Sequence, residues 1–214
     1  MNRSSWVLFF LLTIITVAGA VLACSGSGGA SNSGGKAVDD DDDSSPDDDD
    51  DNDDSTAPLN CRIDGTVCTD PATGLMWQNG PTVGSRSITW QEAKNYCAEL
   101  SWGGFGGWRL PDIDELRSFI RGCPPTVTGG SCSVTDECLS YGCWNDTCGC
   151  GYGGGPGPGC SYWPAGISGE LGSYPYWSSS TVAQHSHLAW WVQFGTGEIL
   201  GGPIGVAILA RCVR

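Results

Sequence analysis

Two stretches of this chain carry apolar residues at helical spacing, and each follows a capping signal. Thr89 precedes Glu92 by three residues, a pattern in which both side chains satisfy free backbone N–H groups, and this predicts a helix over residues 90–100. Asp112 and Glu115 repeat the signal further along the chain. The apolar stripe that follows predicts a second helix and consists of Ile113, Leu116, Phe119 and Ile120.

The other apolar runs are short and are bounded by glycine-rich turns, which is typical of antiparallel strands. Strands are expected at 63–67, 75–78, 190–194, 198–200 and 206–213. One long segment, residues 123–160, shows neither helical nor strand periodicity of apolar residues. It contains seven cysteines and ten glycines in 38 positions. We expect crosslinks more than a hydrophobic core to hold that segment. The predicted fold class is therefore α+β, with long disulfide-rich loops.

Residues 1–23 have the pattern of a signal peptide, with Arg3 before an apolar run. The run ends in Val-Leu-Ala-Cys, which resembles the lipobox at which bacterial signal peptidase cleaves and leaves a lipidated Cys24. We expect acyl chains on Cys24 to anchor the protein in a membrane. The alternative is ordinary cleavage after Ala23, which leaves Cys24 as a thiol. Ser25 rather than an aspartate follows Cys24, and this favours the outer membrane of the cell envelope.

Residues 24–60 are rich in Ser, Gly and Asp and have almost nothing to bury, so a disordered linker is expected. The net charge of the chain is −14, but twelve of its 24 acidic residues are aspartates between Asp39 and Asp54. From Cys61 onward, twelve acidic residues oppose eight basic ones. A nucleic-acid partner is disfavoured, because such partners select clustered positive charge. The aspartate run lacks the glycine-containing loop of a calcium site, so we interpret it as a solvated spacer.

Residues 61–214 carry eleven of the twelve cysteines and nine of the ten tryptophans. After an export signal, this many cysteines predicts disulfides formed in an oxidising compartment. Eleven is an odd number, so one thiol is expected to stay free or to pair with another chain. If Cys24 is not lipidated, the count of available cysteines becomes even.

Six short motifs follow one another between Asp70 and Arg214. They are Asp70-Pro-Ala-Thr-Gly-Leu-Met-Trp-Gln, then Trp90 with Ala93, Tyr96-Cys97 and Leu100, then Gly106-Gly-Trp-Arg-Leu-Pro with Glu115-Leu116, then Tyr176-Trp-Ser-Ser-Ser, Trp191-Val-x-Phe194 and Arg211-Cys-Val-Arg214. In this order they resemble the Lcl C-terminal domain family of bacterial surface proteins. The segment 123–160 lies outside the family pattern, so the resemblance implies nothing about this insert.

The resemblance implies a C-type-lectin-like fold, in which the two short helices flank a small twisted antiparallel sheet. It also implies a disulfide between Cys97 on the first helix and Cys212 on the last strand. The stretch that begins at Trp108 is similar to one in the sulfatase-modifying enzymes, which share this fold, but the late cysteine pair that those enzymes use with copper is missing. Cys61 and Cys68 are seven residues apart, which suits a local bridge across an N-terminal hairpin.

The sequence predicts no catalytic constellation, cofactor or metal site. His185 and His187 are spaced as metal ligands can be, but no third ligand is evident. Trp144-Asn145-Asp146 copies a calcium-binding triplet of sugar-binding lectins without its companion loop. The serines at 178–180 lack the Gly-x-Ser-x-Gly elbow of a hydrolase. We therefore expect a binding protein and not an enzyme.

Four aromatic residues lie in glycine-rich loops, where flat rings stack on sugars or protein surfaces: Trp102, Trp144, Tyr162 and Trp163. We predict a ligand-binding or adhesive domain that recognises a glycan or a surface protein. One alternative is a structural envelope lipoprotein without a soluble ligand, and another is an enzyme like the sulfatase-modifying factors. A relative in the family binds sulfated polysaccharides, but that activity needs a basic surface, which this acidic domain does not offer.

Overall fold

The computed structural model describes residues 58–80, 87–168 and 175–214. The signal peptide at 1–23, the lipidated Cys24 and the linker up to residue 57 lie outside these ranges and stay predictions. The described part is α+β, as the sequence predicts, with two α-helices, two short 3-10 helices and six strands. Within these ranges, no helix combines the length and the apolar character needed to cross a bilayer.

The first helix, α1, spans Trp90–Glu99, one residue short of the prediction. Thr89 caps it, and the Glu92 carboxylate accepts a hydrogen bond from the Thr89 backbone N–H at 2.8 Å, so the capping box is formed. The buried face of the helix consists of Trp90, Ala93 and Cys97. These positions are spaced three and four residues apart, which points one stripe of α1 at the core.

The second helix, α2, spans only Ile113–Arg117 and is shorter than its apolar stripe. Asp112 caps it by accepting a hydrogen bond from the Glu115 backbone N–H at 2.8 Å. After Arg117 the chain tightens, because the Ile120 N–H bonds to the carbonyl three residues earlier. Phe119 and Ile120 are nevertheless fully buried. The stripe therefore identified the core residues correctly and overestimated the length of the helix.

The strands form two antiparallel sheets of three strands each, where the family resemblance implies one. The first sheet contains β1 (Asn60–Cys61), β2 (Val67–Thr69) and β3 (Met76–Gln78). The second contains β4 (Pro175–Val182), β5 (His185–Gln193) and β6 (Glu198–Pro203). The strand expected at 63–67 is mostly a turn, because Gly65 adopts a φ of 67° there.

The C-terminal segment 208–214 connects the two sheets. Val213 forms bridges with Trp77 of β3 and with Arg109, while Leu209 runs parallel to Tyr176 of β4. Each contact is an isolated bridge, so the continuous strand predicted for 206–213 is not formed, and the expected single sheet is split in two. The disulfide between Cys97 and Cys212 fastens α1 to this segment, as the family resemblance implies.

Disulfides crosslink the N-terminal hairpin, the insert and the C-terminal segment. The pairs are Cys61–Cys68, Cys97–Cys212, Cys123–Cys150, Cys132–Cys148 and Cys138–Cys143. Cys160 is disulfide-bonded as well. No cysteine of the described residues is free, so of the two outcomes expected for the odd cysteine, a free thiol is wrong for this part of the chain. Three of the five pairs lie wholly within the insert, which agrees with the prediction that crosslinks hold it.

Aromatic residues dominate the core. Trp77, Phe119, Trp163 and Phe194 pack in one cluster, with Phe119 stacked on Trp77 at 4.3 Å between ring centroids. A second cluster forms beneath α1 and contains Trp90, Trp108 and Trp177. The tryptophans at family motif positions 77, 90, 108 and 177 are therefore core residues.

Candidate functional site

Two of the four aromatic residues predicted to contact a ligand are buried. Tyr162 is 2% exposed and Trp163 is 1% exposed. The Trp163 ring lies 5.0 Å from the Tyr176 ring and 4.5 Å from the Phe194 ring, and the Tyr162 hydroxyl donates to the Gly151 carbonyl at 3.0 Å. The prediction that these two rings offer a stacking face is wrong, because the glycine-rich insert folds over them and makes them part of the core.

Trp102 is half-buried and has a structural role. Its indole N–H donates to the carbonyls of Thr66 and Asn79 at 2.7 and 2.8 Å. Its ring covers Gly80, where a Cβ would come within 2.9 Å of the ring. Trp102 therefore ties its own loop to the segments that flank β2 and β3.

Trp144 is the one predicted aromatic that keeps an exposed ring, with 36% of its surface accessible. Its indole N–H donates to the Ile199 carbonyl of β6 at 2.8 Å. The polar edge of the ring thus points inward at the sheet, and the hydrocarbon part is left for solvent or a ligand. This arrangement differs from a loose surface tryptophan, because the ring has one fixed orientation.

One buried arginine helps to attach the insert that carries Trp144 to the core. The side chain of Arg117, on α2, is 2% exposed. Its guanidinium donates to the carbonyls of Thr126, Val134 and Val127 at 3.0, 2.6 and 2.9 Å. Burial lowers the pKa of Arg117, and its one ion pair is a long contact of 4.0 Å with Asp114. Three insert carbonyls therefore replace a close carboxylate as partners of a buried charge.

The insert also covers the outer edge of β6. The Ile199 N–H donates to the Cys148 carbonyl at 3.0 Å, and the Cys150 N–H donates to the Thr196 carbonyl at 2.9 Å. The approach is close, because a Cβ on Gly149 would come within 2.4 Å of the Glu198 side chain. The insert thus occupies backbone groups that an exposed edge strand would offer to another chain.

Further aromatic side chains follow the same edge. Tyr141 is 43% exposed, and its hydroxyl donates to the Gly201 carbonyl at 3.4 Å. Tyr152 is 78% exposed, and its hydroxyl accepts from Gln193, the strand partner of Glu198, at 3.3 Å. Trp144 and Tyr141 are therefore anchored on β6 at residues 199 and 201, and Tyr152 is anchored on β5 at Gln193, opposite Glu198.

Both histidines of the chain continue this line beyond the end of β6. The His187 carbonyl accepts from the Ile204 N–H at 3.1 Å, and the His185 and His187 rings lie 5.9 Å apart. The His185 ring is 5.8 Å from the Tyr141 ring. We call the five side chains Tyr152, Trp144, Tyr141, His185 and His187 the aromatic row. At about 3.3 Å per residue, the stretch of β6 and its continuation that they follow is roughly 20 Å long.

The sequence identifies only Trp144 as a binding residue of the aromatic row. The two tyrosines were missed because nothing in the unperiodic insert indicates which of its side chains meet β6. The spacing of the two histidines indicates only possible metal ligation. In the described residues, no group of three or more His, Cys, Asp or Glu side chains is arranged to hold a metal ion.

Carboxylates meet where the insert docks on the N-terminus of α2. Ser180 donates to the Asp136 carboxylate at 2.5 Å, and the Asp136 N–H donates to the Asp114 carboxylate at 3.0 Å. Burial, together with the nearby charges of Glu115 and Asp136, raises the pKa of Asp112 to about 6. Each carboxylate caps a backbone group or bonds a core side chain, so this cluster joins the insert to the core.

Two adjoining clefts lie on another part of the surface. One, of about 370 Å³, is lined mainly by apolar residues that include Leu59 and Val127. The other, of about 490 Å³, contains Asp70, whose carboxylate caps its own turn by accepting from the Ala72 N–H at 3.0 Å and pairs with Arg121 at 3.5 Å. Because the polar groups are engaged with each other, we assign no ligand to these clefts.

Comparison with known proteins agrees with the motif order in the sequence. No curated protein is similar enough to this chain to be matched with it. The model of one protein family, the Lcl C-terminal domain, matches residues 66–214. This range contains the second sheet, strands β2 and β3 of the first sheet, both helices and the Cys97–Cys212 disulfide. The chain belongs to the Lcl C-terminal domain family.

Proposed function

We propose that this protein is a cell-envelope lipoprotein whose folded domain binds a ligand, a glycan or a surface protein, through the aromatic row. The lipidated Cys24 and the acidic linker of residues 24–60 would hold the domain away from the outer membrane. Membership in the Lcl C-terminal domain family supports a surface role, since this family is one of bacterial surface proteins. The proposed activity is adhesion or ligand capture, without catalysis.

One observation carries this proposal: the three exposed rings of the insert have their polar atoms bonded inward at one sheet. Trp144 and Tyr141 donate to β6 carbonyls, and Tyr152 bonds to Gln193 of β5. What remains outward is flat hydrocarbon surface that is already fixed in place. A surface that is ordered before binding loses little side-chain entropy when a ligand stacks on it.

The test is sedimentation of the oxidised, purified protein with isolated cell-envelope material. We expect Trp144→Ala and Tyr152→Ala to reduce the bound fraction strongly while the thermal unfolding of each variant stays close to that of the wild type. Tyr152→Phe is the matched control, because it keeps the ring and removes only the hydroxyl, and it should bind almost normally. Unchanged binding by both alanine variants would contradict the proposal.

The structural envelope lipoprotein is the main alternative, and the same experiment separates it. If the domain only packs against fixed neighbours, the purified protein will not sediment with the envelope fraction above background. An enzyme like the sulfatase-modifying factors has no support in the described residues, whose cysteines are all disulfide-bonded.

We further propose that the fold is C-type-lectin-like. Support comes from the C-terminal segment, which returns to pair with β3 and is fastened to α1 by the Cys97–Cys212 disulfide. Closure of the domain by its own C-terminus is the feature that the family resemblance implies. The two separate sheets are a departure from the single twisted sheet expected for this fold.

A further inference from the structure

Positive charge is distributed very unevenly along this domain. Residues 122–210 contain neither lysine nor arginine, and five acidic residues lie in the same stretch. Every member of the aromatic row belongs to this stretch. All eight basic residues of the domain lie in the stretches 61–121 and 211–214.

The described basic side chains are engaged away from the aromatic row. Arg117 and Arg211 are buried. The remaining ones contact other groups: Arg62 bonds Asp64, Arg109 bonds Glu115, Arg121 bonds Asp70, Lys94 lies over Trp90, and Arg214 lies over Phe105. A sulfated or carboxylated polymer lying on the row would find no cation of these residues to neutralise it. It would instead approach acidic residues, which is unfavourable at low ionic strength.

The shape of the row favours a chain-like ligand over a protein surface. Trp144 and Tyr141 follow the edge of β6, and the carbonyls that hold them are two residues apart, which is about 7 Å along the strand. The other three rings extend the row beside the adjoining strand β5. A protein partner is usually bound by a rounded patch with a central pocket. A linear series of separate flat rings instead matches successive units of an extended polymer.

The polar groups beside the rings suit hydroxyl groups. A neutral imidazole has one nitrogen that donates and one that accepts, and His185 and His187 are both exposed. Sugar rings present apolar C–H faces between hydroxyl groups, so they can stack on Tyr141 or Trp144 and bond to a neighbouring imidazole at the same time.

We infer that the aromatic row binds an uncharged polysaccharide in extended form; this inference rests on the proposed function and names the ligand class for the same surface. Several sugar units contact the row at once, so a polymer binds more tightly than its monosaccharide. Binding is insensitive to salt, because no ion pair with the ligand is formed.

The experiment is affinity electrophoresis of the oxidised protein in native gels that contain one polysaccharide each. The uncharged gels contain hydroxyethyl cellulose, galactomannan, xyloglucan or soluble starch, the anionic ones heparin or alginate, and the cationic one chitosan. We expect at least one uncharged polymer to retard the wild type. The retardation should change by less than about twofold between about 50 and about 500 mM NaCl.

Variants connect the retardation to the row. Trp144→Ala and Tyr152→Ala should each weaken binding by about tenfold, in the range of a central aromatic contact. Tyr152→Phe should bind like the wild type. Val206→Ala removes another exposed apolar side chain, 39% exposed and without an aromatic ring, and should also bind like the wild type.

The outcomes separate this inference from the proposed function. Retardation by only the anionic or only the cationic polymers would overturn the ligand class. Failure of every polymer, combined with envelope binding that Trp144→Ala abolishes, would also overturn it and would leave the proposed function standing. Retardation by an uncharged polymer that neither alanine variant weakens would overturn the row as the binding surface, and the proposed function with it.

Discussion

The insert at 123–160 and the family core around it are stabilised in different ways. The family core contains both α-helices and strands β2 to β6, and its aromatic side chains pack in two clusters. The insert contains two 3-10 helices of three residues each and three internal disulfides. A segment held by crosslinks needs no periodic apolar pattern of its own. Its surface residues are therefore free to serve a ligand.

The two regions also differ in charge, and this difference separates their roles. The core outside 122–210 carries all the basic residues of the domain, most of them paired with carboxylates or buried. The insert carries the exposed rings of Tyr141, Trp144 and Tyr152, and neither the insert nor the second sheet contains a basic residue. Most basic side chains of the core are buried or paired with carboxylates, whereas the rings of the insert stay exposed. Substitutions can weaken each region separately.

The largest effect is expected from removing the long-range disulfide of the core. Cys97 and Cys212 are 115 residues apart, and the double variant Cys97→Ala/Cys212→Ala releases that loop in the unfolded chain. Chain-entropy estimates give a loss of roughly 4 to 5 kcal/mol in the free energy of unfolding. Denaturant unfolding of the oxidised protein measures it. A loss below about 1 kcal/mol would show that the closure contributes little.

The next effect concerns the anchor between core and insert. Arg117→Met leaves the three carbonyls of Thr126, Val127 and Val134 without their donor, and we expect a loss of about 3 kcal/mol. The matched control is Arg109→Met, since Arg109 is half-exposed and pairs with Glu115 at the surface. That change should cost less than about 1 kcal/mol. Equal losses for the two arginines would contradict the anchoring role of Arg117.

A smaller loss of stability but a clear loss of binding is expected from the shortest disulfide. Cys138 and Cys143 are five residues apart and flank the loop that presents Tyr141. Cys138→Ala/Cys143→Ala should lower stability by about 2 kcal/mol, because a short loop restricts the unfolded chain less than a long one. Less of the variant should be retained on envelope material, because the loop that presents Tyr141 is no longer held by the disulfide. Full retention would show that this part of the insert does not form the binding surface.

The smallest effect is a pH dependence at the joint of the two regions. The pKa of Asp112 is about 6 in the folded protein, above its ordinary value of 3.8. Its favourable contribution is therefore complete below about pH 4 and is lost as the pH rises through about 6. Asp112→Asn keeps a capping side chain and removes the titration. The free energy of unfolding of this variant, relative to that of the wild type, should therefore increase between pH 4.5 and pH 7.5. Urea unfolding at both pH values measures the difference.

A control separates this effect from general charge repulsion. Asp146 lies exposed on the insert, away from the helix cap. Asp146→Asn should leave the pH profile of the wild type unchanged. If it flattens the profile as much as Asp112→Asn does, the Asp112 environment is not the cause.

Local signals explain why part of the fold could be predicted from the sequence. The capping box at Thr89 and the apolar stripe after Asp112 depend only on residues a few positions apart, and both are present in the structure. The Cys61–Cys68 bridge is also a short-range feature. The Cys97–Cys212 bridge spans the domain and was reached through the family resemblance instead.

The rest depends on contacts across the chain that no local pattern records. Burial of Tyr162 and Trp163 follows from the path of the insert, and glycine-rich sequence around them indicated a surface loop instead. Tyr141 and Tyr152 are candidate binding residues because their hydroxyls contact the second sheet, and the sequence does not indicate these contacts. Arg117 gave no sign that it is buried, because its partners are backbone carbonyls of another segment.

The most direct test of the aromatic row is hydroxyl-radical footprinting with mass spectrometry, in the presence and absence of isolated envelope polysaccharide. Our account predicts that Tyr141, Trp144 and Tyr152 become several-fold less reactive when the polysaccharide is bound. Tyr96 on α1, whose 39% exposure is comparable to that of Tyr141 and Trp144, should keep its reactivity. Protection of Tyr96 without protection of the three insert rings would contradict the account.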